Sequence, residues 1–161
     1  MFRSIAICTA FFVALATTTS AQTNVNLGGM AVDTDAAIEV TADALSVDQD
    51  NGTAVFEGEV VISQGDMRLS APRVEVVYGA DTSQIDRLVA TGGVTIVTAA
   101  DAAEAETADY NVATGMLRLD GDVLLTQGDS AISAQSMLVN VTDGTATMQG
   151  RVRTVLQQGE N

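Results

Sequence analysis

Residues 54–64 read Ala54-Val55-Phe56-Glu57-Gly58-Glu59-Val60-Val61-Ile62-Ser63-Gln64. Ala54, Phe56, Gly58, Val60 and Ile62 alternate with positions that include Glu57 and Glu59, the period of a strand with one buried face. Glycine weakens a strand interior, so Gly58 needs a reason of its own. The arrangement returns three times. Gly-x-Val occurs at Gly58-Glu59-Val60, Gly92-Gly93-Val94, Gly121-Asp122-Val123 and Gly150-Arg151-Val152, spaced by 34, 29 and 29 residues. Aligned on the glycine, the columns on either side are apolar almost throughout: Ala54, Leu88, Leu117, Ala146; Phe56, Ala90, Leu119, Met148; Val60, Val94, Val123, Val152; Ile62, Ile96, Leu125, Thr154. A unit repeating at this period cannot bury its apolar face alone, so the copies must stack.

Outward from these strands the punctuation is equally regular. Six residues before the motif glycine stands another glycine in three copies, at Asn51-Gly52, Thr114-Gly115 and Asp143-Gly144, where hairpin tips are expected. Upstream of each tip a small residue followed by Ala opens the partner strand, at Thr41-Ala42-Asp43, Ser70-Ala71-Pro72, Thr107-Ala108-Asp109 and Ser133-Ala134-Gln135. After that Ala the apolar phase slips by one, from Met67, Leu69 and Ala71 to Val74, Val76 and Tyr78, and from Ile132 and Ala134 to Met137, Val139 and Val141. A slip repeated at one place marks a bulge or corner, and a line of corners lets two sheets face each other as a folded-over jelly roll. The expected fold is all-β, a two-sheet jelly roll of short antiparallel strand repeats. The motif glycines have two compatible readings: they make the bend, or their stack leaves a gap along the inner face for a ligand. Ala99 to Ala108 has helical propensity, but Ala108 falls in the repeat column, so the run is read as a loop leading into a strand.

The chain has 161 residues with seven Arg and no Lys, His or Trp, against 21 Asp and Glu, for a formal charge of −14. Without imidazole or a lysine amine, ordinary hydrolases, kinases and zinc enzymes are argued against. Seven scattered arginines also argue against a nucleic-acid partner. No carboxylate pair is marked for catalysis, and no metal or cofactor motif is present, so the chain reads as a non-enzyme. Residues 1–21 read as an export signal, with Arg3, an apolar run from Ile5 to Ala16 and small residues Thr19-Ser20-Ala21 at the cleavage site. Cleavage after Ala21 and a periplasmic destination are expected; a retained anchor is the alternative. Cys8, the one cysteine, lies in this leader, so the mature chain is expected to be free of thiols. Residues 22–37 are expected to form a flexible lead-in, 38–156 the β domain and 157–161 a C-terminal tail.

Thr41-Ala42-Asp43, the stretch from Phe56 to Gly65, the run Leu69-Ser70-Ala71-Pro72-Arg73-Val74-Glu75-Val76-Val77-Tyr78, and Leu119-Asp120-Gly121-Asp122-Val123 with Gln127-Gly128 together resemble the periplasmic lipopolysaccharide-transport proteins of the LptA/OstA type. The resemblance covers roughly residues 38–156. It implies a twisted jelly roll, open at both ends, that carries the acyl chains of lipopolysaccharide (lipid A) inside and stacks head to tail between the inner and outer membranes. Under that implication the lining comprises Phe56, Val60, Ile62, Met67, Leu69, Val74, Val76, Val94, Ile96, Tyr110, Leu117, Leu119, Val123, Leu125, Ile132, Met137, Val139, Met148 and Val152, with Gly58, Gly92, Gly121 and Gly150 shaping the groove. Ile38, Val40 and Leu45 would lie at the edge meeting an inner-membrane-anchored component. Val152 and Leu156 would lie at the edge meeting the outer-membrane assembly or a second copy. No cofactor is implied.

Two other readings remain open at this point: a ligand-free structural β-repeat module of the cell envelope, and the membrane-anchored partner of the same pathway. The strong acidity fits an anionic lipid only if head groups stay in solvent, if divalent cations screen them, or if arginines such as Arg68, Arg73, Arg87 and Arg118 stand near the opening. Asp48-Gln49-Asp50-Asn51-Gly52 is acidic but lacks calcium-loop spacing and reads as a hairpin turn.

Overall fold

The computed structural model describes residues 33–80 and 84–155, together with the backbone of 23–26. The expected leader with Cys8, Leu156 and the tail 157–161 lie outside the described residues. The strands are β1 (Thr23–Asn26), β2 (Ile38–Thr41), β3 (Ala44–Asp48), β4 (Thr53–Gln64), β5 (Met67–Tyr78), β6 (Ile85–Val97), β7 (Asp101–Asn111), β8 (Met116–Gln127), β9 (Ser130–Asn140), β10 (Thr145–Gln149) and β11 (Arg153–Val155). All described pairings are antiparallel, in the order β1-β10-β9-β8-β7-β6-β5-β4-β2, with β3 also on β4 and β11 also on β9. The tips fall at the glycines read from the sequence. They are capped by short polar side chains: Asp48 Oδ1 accepts from the backbone N–H groups of Asp50 (3.0 Å) and Asn51 (3.1 Å), and Asn111 Oδ1 from that of Thr114 (3.0 Å). Asp48 thus serves the turn, and the Asn51 hydrogen bond holds its carboxyl below the usual range.

The pairing register breaks at one level in every long strand: between Glu57 and Val60, Ser70 and Arg73, Thr91 and Val94, Glu104 and Thr107, and Asp120 and Val123. At the breaks on β4, β6 and β8, and between β10 and β11, two successive residues take positive φ: Gly58 (79°) and Glu59 (42°), Gly92 (92°) and Gly93 (97°), Gly121 (84°) and Asp122 (42°), Gly150 (78°) and Arg151 (45°). A pair of left-handed residues bends a strand sharply, and glycine adopts such angles at least cost. The corners align across the sheet and fold it along one line. The two sheets expected from the phase slip are therefore two halves of one continuous hydrogen-bonded sheet.

The space beside the first glycine of each corner is filled, while that beside Gly93 is open. A Cβ on Gly58 would lie 2.8 Å from Asp43 Cβ, on Gly92 3.2 Å from Pro72 Cγ, on Gly121 2.6 Å from Glu106 Cδ, and on Gly150 2.7 Å from Gln135 Cβ. The motif glycines bend the sheet, and side chains of the neighbouring corner occupy the space beside them. Glu106 at the third corner also corrects the sequence reading. The corner element there is Glu104-Ala105-Glu106, not Thr107-Ala108-Asp109, and Ala99 to Ala108 is neither helix nor loop beyond Asp101 but the first part of β7. Ala105 and Ala108 are equally small, so pattern alone does not choose between them. Hydrogen-bonding edges on β6 and β8 override helical propensity.

Inward-facing residues of both halves form one apolar cluster, with Val60, Val74, Val123, Leu125, Val139 and Met148 at 0 % exposure. Two parts of the expected lead-in are held in place. β1 pairs with β10 in the register Thr23↔Met148 to Asn26↔Thr145, and the 33–37 segment contacts Gln64. Replacing Gly58 by Ala forces an L-residue to a φ near +79° against Asp43, and is expected to cost about 1–3 kcal/mol in chemical denaturation. Glu59→Gly, at the neighbouring left-handed position, is expected to change stability by less than about 1 kcal/mol.

Candidate functional site

The corner line closes one side of the folded sheet, and the opposite side is a mouth between strand ends. Every lining residue named from the sequence is buried except Phe56 and Val152, which are half-buried and pack against the same cluster. Apart from those two, the lining residues are 0–8 % exposed and belong to one cluster, so the apolar faces of the two halves cover each other in this structure. A guest chain has room only once the halves separate.

Gln64 and Tyr110 hold the mouth. Gln64 ends β4 in one half, Tyr110 lies near the end of β7 in the other, and the Tyr110 hydroxyl donates to Gln64 Oε1 at 3.2 Å. Gln64 Nε2 donates to the carbonyls of Thr34 and Ala36, each at 3.2 Å, which ties the 33–37 segment to the same point. Burial raises the Tyr110 pKa, so its hydroxyl keeps the proton that it donates. A cleft of about 340 Å³ lies beside this contact, lined in part by Ile38 and Gln64 from one half and Ile85 and Val112 from the other. Sequence reasoning missed Gln64 as an interior residue, although it continues the apolar phase of Val60 and Ile62.

It also missed Asp101, which opens β7 in phase with buried Ala103 and is 3 % exposed. The outward face carries the charge. Arg73 pairs with Glu57, Arg87 with Asp109 and Arg118 with Asp120. The hydrogen bond from Arg87 holds the Asp109 carboxyl down and raises Arg87 in turn, and Asp120 does the same for Arg118. Three of the four arginines suggested for the opening are thus engaged by carboxylates on the outer surface. Among the described residues there is no group of three or more His, Cys, Asp or Glu that could hold a metal ion, and no helix long and apolar enough to cross a membrane.

The sheet edges differ. β3 is exposed along its whole length, with Leu45 at 54 % and Val47 at 61 %, while Ile38 and Val40 on β2 are half-buried. At the other end β11 is exposed, with Val155 at 47 %, and β10 is covered by β1. Val152 itself precedes β11 and packs inward.

Comparison with known proteins places this arrangement. The solved structure of LptH, described as the LptA homologous periplasmic component of the conserved lipopolysaccharide transport device from Pseudomonas aeruginosa, superposes with a TM-score of 0.70 at 18 % identity. That match covers 79 % of this chain and 99 % of LptH, and it shows the shared fold. An uncharacterized protein of Rhizobium meliloti (strain 1021), R00383, is 28 % identical over 148 residues, covering 92 % of this chain and 65 % of the relative. The chain thus spans a little under two thirds of that relative's length. Residues 39–145 match the family described as LptA/(LptD N-terminal domain) LPS transport protein, a family of transport proteins rather than enzymes. Since that match takes in most of the chain and both halves of the folded sheet, this protein belongs to the LptA/LptD N-terminal-domain family of lipopolysaccharide-transport proteins.

Proposed function

We propose that this protein is a periplasmic carrier that holds the acyl chains of lipopolysaccharide between the two halves of its folded sheet and passes them along an end-to-end stack. The observation that carries this reading is the single apolar face, shared by two halves that are continuous only along the glycine corners. Across the mouth, the one side-chain hydrogen bond between strands of opposite halves among the described residues is Tyr110 to Gln64. Acyl chains need no directional partners, and each buried methylene contributes about 0.8 kcal/mol. Equivalent columns of Val, Ile, Leu and Met let a chain slide from one repeat to the next without a large barrier. Nothing in this design consumes nucleotide, so the driving force comes from another component. Family membership supports the ligand class, and the acidic outer face leaves anionic head groups in solvent or bridged by divalent cations.

The exposed edge strands support the stacking step. An unpaired strand edge is a template for another chain, and a head-to-tail contact that does not close propagates. The Ile38–Val47 edge is the surface we assign to an inner-membrane-anchored component or to the preceding copy. The Ala146–Leu156 edge is assigned to the outer-membrane assembly or the next copy, which meets β11 directly and β10 only where β1 has left it.

Two experiments test these steps. Ile38→Cys with Ile85→Cys, joined across the mouth by a short bis-maleimide, is expected to abolish the lipopolysaccharide adduct in native mass spectrometry. The unlinked double variant is expected to bind as the parent does. Binding that survives the crosslink moves the ligand off the interior, and no binding by the folded parent favours the ligand-free structural module. In the processed chain, Leu45→Cys with Val155→Cys is expected to give a ladder of disulfide-linked multimers on oxidation. Monomer at every concentration contradicts stacking.

A further inference from the structure

Asp101 is the anomaly of the interior. It faces inward with Ala103 and is 97 % buried, yet neither carboxylate oxygen has a hydrogen-bond partner. Its backbone is fully used. Thr98 N donates to Asp101 O at 2.9 Å, and Asp101 N donates to Thr98 Oγ1 at 3.1 Å. The unsatisfied group is therefore the side chain alone. None of the arginine ion pairs reaches it, because Arg73, Arg87 and Arg118 are held by Glu57, Asp109 and Asp120 on the outer face. Buried polar groups in native proteins are nearly always paired, so an unpaired carboxylate marks a place where a partner is to be supplied.

The position of Asp101 says what kind of partner. β7 starts at Asp101, on the rim where β4 ends at Gln64, β5 begins at Met67 and β8 ends at Gln127. Deeper along β7 the inner face continues through Ala103, Ala105 and Ala108, all small residues. The rim is the boundary between apolar interior and solvent. An amphiphile with its chains inside places the linkage between chain and head group at this level. A carboxylate accepts hydrogen bonds only, so the complement is an N–H or O–H at that linkage. A cation is the weaker complement, because Asp101 belongs to no group of three or more potential metal ligands among the described residues.

We propose that Asp101 is a specificity residue of the interior, accepting a hydrogen bond from an amide N–H or hydroxyl at the root of a bound acyl chain. This rests on the acyl-carrier reading above and adds a preference to it. Amphiphiles with a donor beside the chain are selected over isosteres without one, since only the former satisfy the buried oxygens. The selection operates at the rim, after the Tyr110 to Gln64 contact has opened.

N-methyldecanamide and methyl decanoate differ in one N–H replaced by one oxygen, and both are neutral. Displacement of N-phenyl-1-naphthylamine from the folded protein by each gives the test. The parent is expected to bind the amide at least ten-fold more tightly than the ester. Asp101→Leu is expected to bind the ester as the parent does and to lose the preference. Asp101→Asn, which keeps one acceptor oxygen, retains a reduced preference and serves where the leucine variant does not fold. Equal affinity for the two probes in the parent, or a preference that survives in Asp101→Leu, overturns the assignment and leaves the carrier reading intact. A preference that appears only with added calcium and vanishes with chelator overturns it in favour of a cation. Binding of neither probe, and of no lipopolysaccharide, overturns both.

Discussion

Two successive left-handed residues in the middle of a strand are the constraint on which everything else rests. At Gly58-Glu59, Gly92-Gly93 and Gly121-Asp122 within strands, and at Gly150-Arg151 between β10 and β11, the backbone leaves the β region and the chain bends. Because the corners align, one sheet becomes two facing halves, and a continuous antiparallel ladder becomes a clamp. No disulfide is needed among the described residues, since the chain closes its core by folding its own sheet. Asp43, Pro72, Glu106 and Gln135 lie over Gly58, Gly92, Gly121 and Gly150.

A clamp made this way has an asymmetric energy profile. Its spine is fixed by hydrogen bonds and by conformations that few residues tolerate, whereas its mouth is held by apolar contact and by one polar junction at Gln64. Separating the halves exposes apolar surface, and an acyl chain that enters recovers that loss by covering it. On the carrier reading proposed above, a closed interior is the resting state. The same junction ties the 33–37 segment to the mouth, and β1 lies on β10, so chain preceding the sheet touches both the opening and the far edge.

Most of the fold was legible in the sequence because its signals are periodic. Apolar alternation, the Gly-x-Val spacing and the Asn-Gly or Asp-Gly tips each recur, and recurrence separates them from chance. The corner on β7 was misplaced because alanine carries little information: Ala103, Ala105 and Ala108 fit strand, helix and corner alike. β1 was missed because four residues bearing no alternation gain their pairing only from an edge made more than a hundred residues later. The interior lining was legible as a face. Its polar members were not, since Gln64 and Asp101 stand at strand ends, where polar residues are ordinarily solvated and carry no signal of burial. The partners of the arginines were not legible for a similar reason. Sequence shows charge but not partners, and Glu57, Asp109 and Asp120 take Arg73, Arg87 and Arg118 by cross-strand or same-strand proximity.

The central claim is that the two halves part about the glycine line to take up acyl chains. Spin labels at exposed Arg68, on the rim of one half, and exposed Asp86, on the facing rim, report that distance directly by pulsed dipolar spectroscopy. The account predicts a single short distance in the free protein and a population shifted to longer distances when lipopolysaccharide is bound. An unchanged distance with ligand demonstrably bound contradicts it, and places the lipid on the outside of a sheet that never opens.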